Sequence, residues 1–195
     1  MKKISSWIVI LAIVALVALW GVNAYNSLVS NEEAVESAWA QVENVYQRRA
    51  DLVPNLVATV KGYAEHEQET LQGVIEARSK ATQVTVDPSN LTPEALAEFQ
   101  AAQGELSTAL GRLLLLQENY PNLKANENFL DLQAQLEGTE NRITVERQKF
   151  NETARAYNVA IRKFPTNIIA SLFNFDKKGY FEAAEGAQIA PKVEF

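Results

Sequence analysis

Two patterns of apolar residues divide the chain. From Ile4 to Val22, nineteen residues carry no charge and are interrupted only by Ser5 and Ser6. As a helix rising ~1.5 Å per residue, the run measures roughly 28 Å, close to the ~30 Å hydrocarbon core of a bilayer. From Leu28 onward the apolar positions are spaced instead for one face of long helices. Val35, Trp39, Val42, Tyr46, Arg49, Val53, Leu56, Val60 and Tyr63 recur at alternating steps of four and three, the seam of a coiled coil. Ser30 and Glu33 have capping-box spacing, so the chain either restarts a helix there or continues one out of the apolar run.

The first break follows Ala81. There VTVDPSNLTP mixes β-branched residues with the turn dipeptide Asp87-Pro88, then offers Thr92 as a cap and Pro93 at the first helical position. The helix that begins there carries Leu96, Phe99, Leu106, Leu110, Leu113 and Leu116 and stops near Asn119, before Tyr120-Pro121. In the next helix Phe129, Leu136, Ile143, Phe150, Tyr157 and Phe164 stand seven apart, with Leu132 and Ile161 on the same face, until Pro165. Helices over 30–81, 93–119 and 125–164 would measure roughly 78, 40 and 60 Å. The expected fold class is all-α, a single N-terminal transmembrane helix followed by an elongated antiparallel bundle of long helices. The middle helix matches the part of the first that follows Pro54, which gives a three-helix section.

One stretch, QRRADLVPNLV at 47–57, breaks the apolar stripe with two arginines, an aspartate and a proline. Arg49 falls on the seam itself, where an unpaired guanidinium is costly. The expectation is a structural brace formed by Arg48, Arg49, Asp51, Pro54, Glu140 and Asn141, with Arg49 paired to Glu140 and fixing helix register. The alternative is that the Arg49 stem lies along the seam while its charge reaches water. Pro54 removes one donor from the helical ladder, so the helix kinks there or a new one starts. The apolar steps run through it without a phase change, which favours a kink.

Composition narrows the chemistry. The chain has no cysteine, which excludes disulfides, thiol nucleophiles and thiolate metal sites. The formal charge of −6 over the whole chain falls to −8 without the first 21 residues and their two lysines, which argues against a nucleic-acid partner. His66 is the one histidine, and Thr70 stands where a zinc-protease helix needs its second. Glu65, His66 and Glu69 read as ordinary surface. No GxSxG and no glycine-rich phosphate loop is present. No catalytic residue, no metal ligand and no cofactor is expected.

The apolar run competes between a cleaved signal peptide and a retained anchor. Trp20 and Asn23 spoil the small-residue positions of a cleavage site, and Trp20 suits a headgroup boundary. A retained anchor contacting lipid through residues 4–22 is therefore expected. Lys2 and Lys3 precede the span and Glu32, Glu33 and Glu36 follow it, with no basic residue before Arg48. By the positive-inside tendency the N-terminus is cytoplasmic and the bundle faces outward. The domain division is 1–24 for cytoplasmic tip and anchor, 25–175 for the bundle and 176–195 for a partly extended tail. In that tail Ile189, Pro191, Val193 and Phe195 alternate with other residues, the pattern of an extended segment that either docks, as an interaction tail through Ile189, Val193 and Phe195, or stays free. Docking on a neighbouring copy would make a homo-oligomer.

The chain resembles the LemA family of bacterial membrane-anchored proteins. The resemblance is carried by YNSLV (25–29), AWAQVENVYQRRADLVPNLVATVKGYAEHE (38–67), YPNLKAN (120–126), TENRITVERQKFN (139–151), AYNVAIRKFP (156–165) and YFEA (180–183). It implies an N-terminal membrane helix and a helical-bundle domain, with no established enzymatic activity; the location expected is the bacterial cytoplasmic (inner) membrane. Members have been assigned both orientations. One departure is Phe150, where tyrosine is expected, so any hydrogen bond from that ring is lost. The function expected is a membrane-tethered scaffold or interaction protein, self-associating or bound to other membrane proteins. A bundle that holds a lipid or other hydrophobic ligand is the alternative.

Overall fold

A computed structural model describes residues 6–182. Its six helices are α1 (Ser6–Lys61), α2 (Gln68–Gln83), α3 (Pro93–Leu115), the single turn α4 (Pro121–Lys124), α5 (Glu127–Arg162) and α6 (Thr166–Leu172). There is no strand among the described residues. Residues 1–5 and 183–195 lie outside them, and with these the proposed tail residues Ile189, Val193 and Phe195.

α1 runs unbroken for 56 residues, so Ser30 and Glu33 do not restart a helix and Pro54 does not begin one. Pro54 is exposed, and its ring meets solvent rather than a neighbour. Residues from Trp7 to Leu19 are all exposed, as a segment meant for lipid must be, and this is the one stretch among the described residues long and apolar enough to cross a membrane.

The expected helix over 30–81 is in fact two. α1 ends at Lys61, and Tyr63 N–H and Ala64 N–H both turn back to Val60 O at 3.0 and 2.9 Å. Buried Ala64 then forms the corner from which α2 returns beside α1. Apolar spacing carries on smoothly through Tyr63, but the helical ladder ends with these two bonds to Val60 O, because Gly62 weakens the last turn and burying α2 needs the reversal. The same overrun occurs at Phe164. α5 ends at Arg162, and Phe164 is 81 % exposed instead of extending the seam.

The other ends follow their chemistry. Thr92 Oγ1 accepts from Ala95 N–H at 3.2 Å with Pro93 in the first turn, and Asn126 Oδ1 accepts from Phe129 N–H at 2.9 Å to start α5. α6 closes with Asn174 at φ 57° and a bond from Phe175 N–H to Ala170 O of 2.9 Å. This left-handed turn suits asparagine and reverses the chain.

α5 lies antiparallel to α1, so the early part of α1 meets the late part of α5. Leu28, Val35, Trp39, Val42 and Tyr46 pack on Ile143, Phe150, Ala154, Tyr157 and Ile161. Leu96, Phe99, Val86, Leu91 and Phe181 close that core, the one nearer the apolar run of α1, from the side. Beyond residue 50, α1 joins α2, α3 and the first half of α5 around Val53, Leu56, Val74, Leu110, Phe129 and Leu136. This distal section holds four helices, not three, because the turn at 62–67 adds α2.

Candidate functional site

Arg49 stands between the two cores, one helical step past Tyr46 and one before Val53. It is 2 % exposed. Its Nη1 donates to Ser107 Oγ at 2.8 Å and to Glu140 Oε1 at 2.9 Å. Its Nη2 donates to the Gln103 backbone oxygen at 3.0 Å and to Gln103 Oε1 at 2.6 Å. The guanidinium also lies 5.0 Å from the Tyr46 ring centroid. Gln103 passes the connection on through Nε2 to Ala81 O at 3.0 Å, and Arg78 Nε reaches Ala50 O at 2.8 Å. One cation thereby joins α1 to α3 and α5, with α2 tied in by its partner. A planar fork of donors suits this better than an ammonium would.

The other four residues named for the brace do not join it. Arg48, Asp51, Pro54 and Asn141 are exposed, and Asp51 accepts only from Gln47 one turn back, at 2.8 Å. They lie off the seam, where a charge in water needs no protein partner. Gln103 and Ser107 were missed. Gln103 was legible, since it fills the seam step between Phe99 and Leu106, the same signal that marked Arg49.

A second polar site fastens the extended residues 175–182 to the bundle. Asn158 donates from Nδ2 to Lys178 O at 2.8 Å and accepts from Lys178 N–H at 2.9 Å. Asn151 does the same for Phe181, at 2.9 Å each way. Seven helical residues rise ~10.5 Å, and three extended residues span about 10 Å, so two asparagines on α5 reproduce the bonds of a strand edge. Lys178 is nearly fully buried, with Nζ 2.8 Å from Glu32 and 2.9 Å from Ser89 O. Gly179 N–H donates to Leu91 O at 2.8 Å. Phe181 then stacks on Trp39, with centroids 5.9 Å apart. Phe150 abuts both rings, so its edge has an apolar setting that asks for no hydroxyl. No periodicity marks Lys178 or Glu32. They are 146 positions apart and meet only when the chain folds back.

The Tyr157 hydroxyl is buried without a partner. Burial first, with Glu32 and Asp176 adding to it, pushes its pKa well above the ordinary tyrosine value. A folded-state pKa raised in this way disfavours ionisation in the folded chain, so stability is level below the unfolded value of about 10 and falls as pH rises from there toward the folded one. Tyr157→Phe is therefore expected to leave the melting temperature unchanged or higher near neutral pH, since an unpaired hydroxyl is removed. The variant should also flatten the decline above about pH 10. Thermal melts across the alkaline range check both parts.

Among the described residues no three of His, Asp and Glu are grouped to hold a metal ion. His66 lies in the turn between α1 and α2, where Glu67 instead accepts from Tyr120 Oη at 2.9 Å.

Fold and polar sites together define a helical bundle continuous with an apolar helix of membrane-spanning length, its buried charges tying the helices to one another and to the extended segment 175–182. The chain belongs to the LemA family, whose model matches residues 38–195. It is 26% identical over 189 residues to the magnetosome protein MamQ of Magnetospirillum gryphiswaldense, covering 87% of this chain and 70% of that protein. Magnetosome protein MamQ 1 of Paramagnetospirillum magneticum is 26% identical over 190 residues, with 89% and 70% covered. Protein LemA of Metamycoplasma hominis is 25% identical over 160 residues, with 82% and 69% covered.

Proposed function

We propose that the chain is a membrane-tethered, non-enzymatic scaffold of the bacterial envelope whose helical faces engage other proteins or further copies of itself. In this reading α1 crosses the cytoplasmic membrane with its N-terminus inside, as Lys2 and Lys3 ahead of the span and Glu32, Glu33 and Glu36 behind it favour. The observation that carries the reading is the use of buried charge. Arg49 and Lys178, the charged residues buried among those described, are each bonded to two or more separate elements. Groups tied down in this way hold a surface in shape, whereas a catalytic group faces a substrate. Ile75, Val145 and Val159 meanwhile lie exposed on α2 and α5. A lipid held inside the bundle is disfavoured by ring packing, since Trp39 meets Phe99, Phe150 and Phe181 at 5.2, 5.7 and 5.9 Å.

A photo-reactive residue placed in turn at 75, 145 and 159 in cells tests this. Discrete adducts from one face are expected. Absence of adducts at all three positions, with the mass of a single copy in nanodiscs, would overturn the scaffold. Labelling of Ser89→Cys by an impermeant maleimide in intact cells checks the orientation.

A further inference from the structure

We infer that α6 and the residues flanking it form a second membrane contact, lying in the lipid headgroup layer beside the end of the α1 span. The segment from Phe164 to Phe173 exposes Phe164 by 81 %, Ile168 by 57 %, Leu172 by 70 % and Phe173 by 53 %. Four large apolar groups within ten residues are costly in water, and such a cluster marks a contact surface. Ile168 and Leu172 are four apart on one face of α6, whereas Ala170 on the other is buried.

The position of that face decides its occupant. Ile169 and Phe173 line an open apolar groove together with Ala18, Gly21, Val22 and Tyr25 of α1. Ile169 Cδ1 comes within 3.8 Å of where a Gly21 Cβ would stand, and the Phe173 ring lies 4.8 Å from that of Tyr25. Gly21 is the next-to-last residue of the apolar run that ends at Val22, so α6 is held where the hydrocarbon ends. The exposed face is therefore continuous with the lipid-facing surface of α1. Arg162 and Lys163 precede it and Lys177 follows, all exposed, placed as an interfacial helix places its cations toward phosphates. Two contacts fix the tilt and rotation of the bundle on the membrane, which a single helix leaves free.

The inference rests on α1 being embedded, so its test carries a control for that. The chain has no cysteine. Single variants Ile168→Cys, Leu172→Cys, Val14→Cys and Leu115→Cys of the full chain would be labelled with an environment-sensitive fluorophore and reconstituted in phosphatidylcholine vesicles. Lipids carrying a shallow doxyl group should quench positions 168 and 172 about twofold, a deep doxyl group should quench 14, and 115 should respond only to aqueous iodide. Quenching of 14 without 168 or 172 overturns the second contact alone. If iodide reaches 168 and 172, the face is in water. If neither quencher does, a second copy covers it, and both results reject the lipid contact. Failure at 14 as well would remove the anchor.

Discussion

Arg49→Met is expected to lower the stability of the full chain in detergent by roughly 3 kcal/mol, about 6–12 °C in melting temperature. The loss has identifiable parts. Ser107 Oγ, Glu140 and both Gln103 oxygens lose a donor, the Tyr46 ring loses its cation, and buried acceptors left unpaired cost more than the bonds contributed. Glu140→Gln should cost less, about 1–2 kcal/mol, because that side chain is 40% exposed and water screens the pair, although the guanidinium stays buried without a counter-charge. In the Arg49→Met background Glu140 is free to hydrate, so adding Glu140→Gln should change little. The double variant is thus expected to match Arg49→Met, with a coupling of about 1–2 kcal/mol, the whole cost of Glu140→Gln alone. Equal cost of Glu140→Gln in both backgrounds would mean that the observed pair does not brace the helices.

Gly179→Ala tests the other fastening. A Cβ at this position would stand 2.9 Å from both Cα and N of Pro93 and 3.0 Å from Leu96 Cδ1. Two of these are main-chain atoms in the first turn of α3, beside a proline ring, so the extended segment must lift instead. Lifting it strains the Gly179 bond to Leu91, the Lys178 pair with Glu32 and the Phe181 stack together. The expected loss is about 2–3 kcal/mol. Amide exchange at 178, 179 and 181 should rise more than in the distal core, where Leu56 and Val60 pack independently of this segment. Unchanged exchange at those three amides would show that the segment tolerates the methyl group.

Much of the helical plan was legible because its causes are local. An apolar run of bilayer length, heptad steps, Thr92 before Pro93 and Pro165 after Ile161 act within a few residues, and the heptad steps mark buried positions as far as Val60 and Ile161, beyond which Tyr63 and Phe164 leave the seam. Arg49 was legible for the same reason, as a charge on an apolar seam that must find a partner. Where reading from the sequence fell short, the deciding contact was distant. Spacing alone extended the first helix to 81, yet α2 turns back at 62–67 because its own face, Leu71, Val74 and Ala77, must be buried against α1 and α3. Arg48, Asp51 and Asn141 looked like members of the brace because they lie near Arg49 or Glu140 in sequence, but a helix points neighbouring residues in different directions.

By itself the sequence determined an all-α chain with one apolar helix of membrane length, the seams that bury its core and the presence of a cation on one of them. Tertiary structure alone decided that the distal section has four helices, that Gln103 and Ser107 share Arg49 with Glu140, and that Lys178 meets Glu32. It also decided that α6 lies beside Gly21 and Tyr25 of α1 with its apolar face left open. The physical reason is range. Periodicity, caps and helix stops are set by atoms a turn or two apart, whereas the pairing of faces and the satisfaction of buried polar groups depend on which distant surfaces the folded chain brings together.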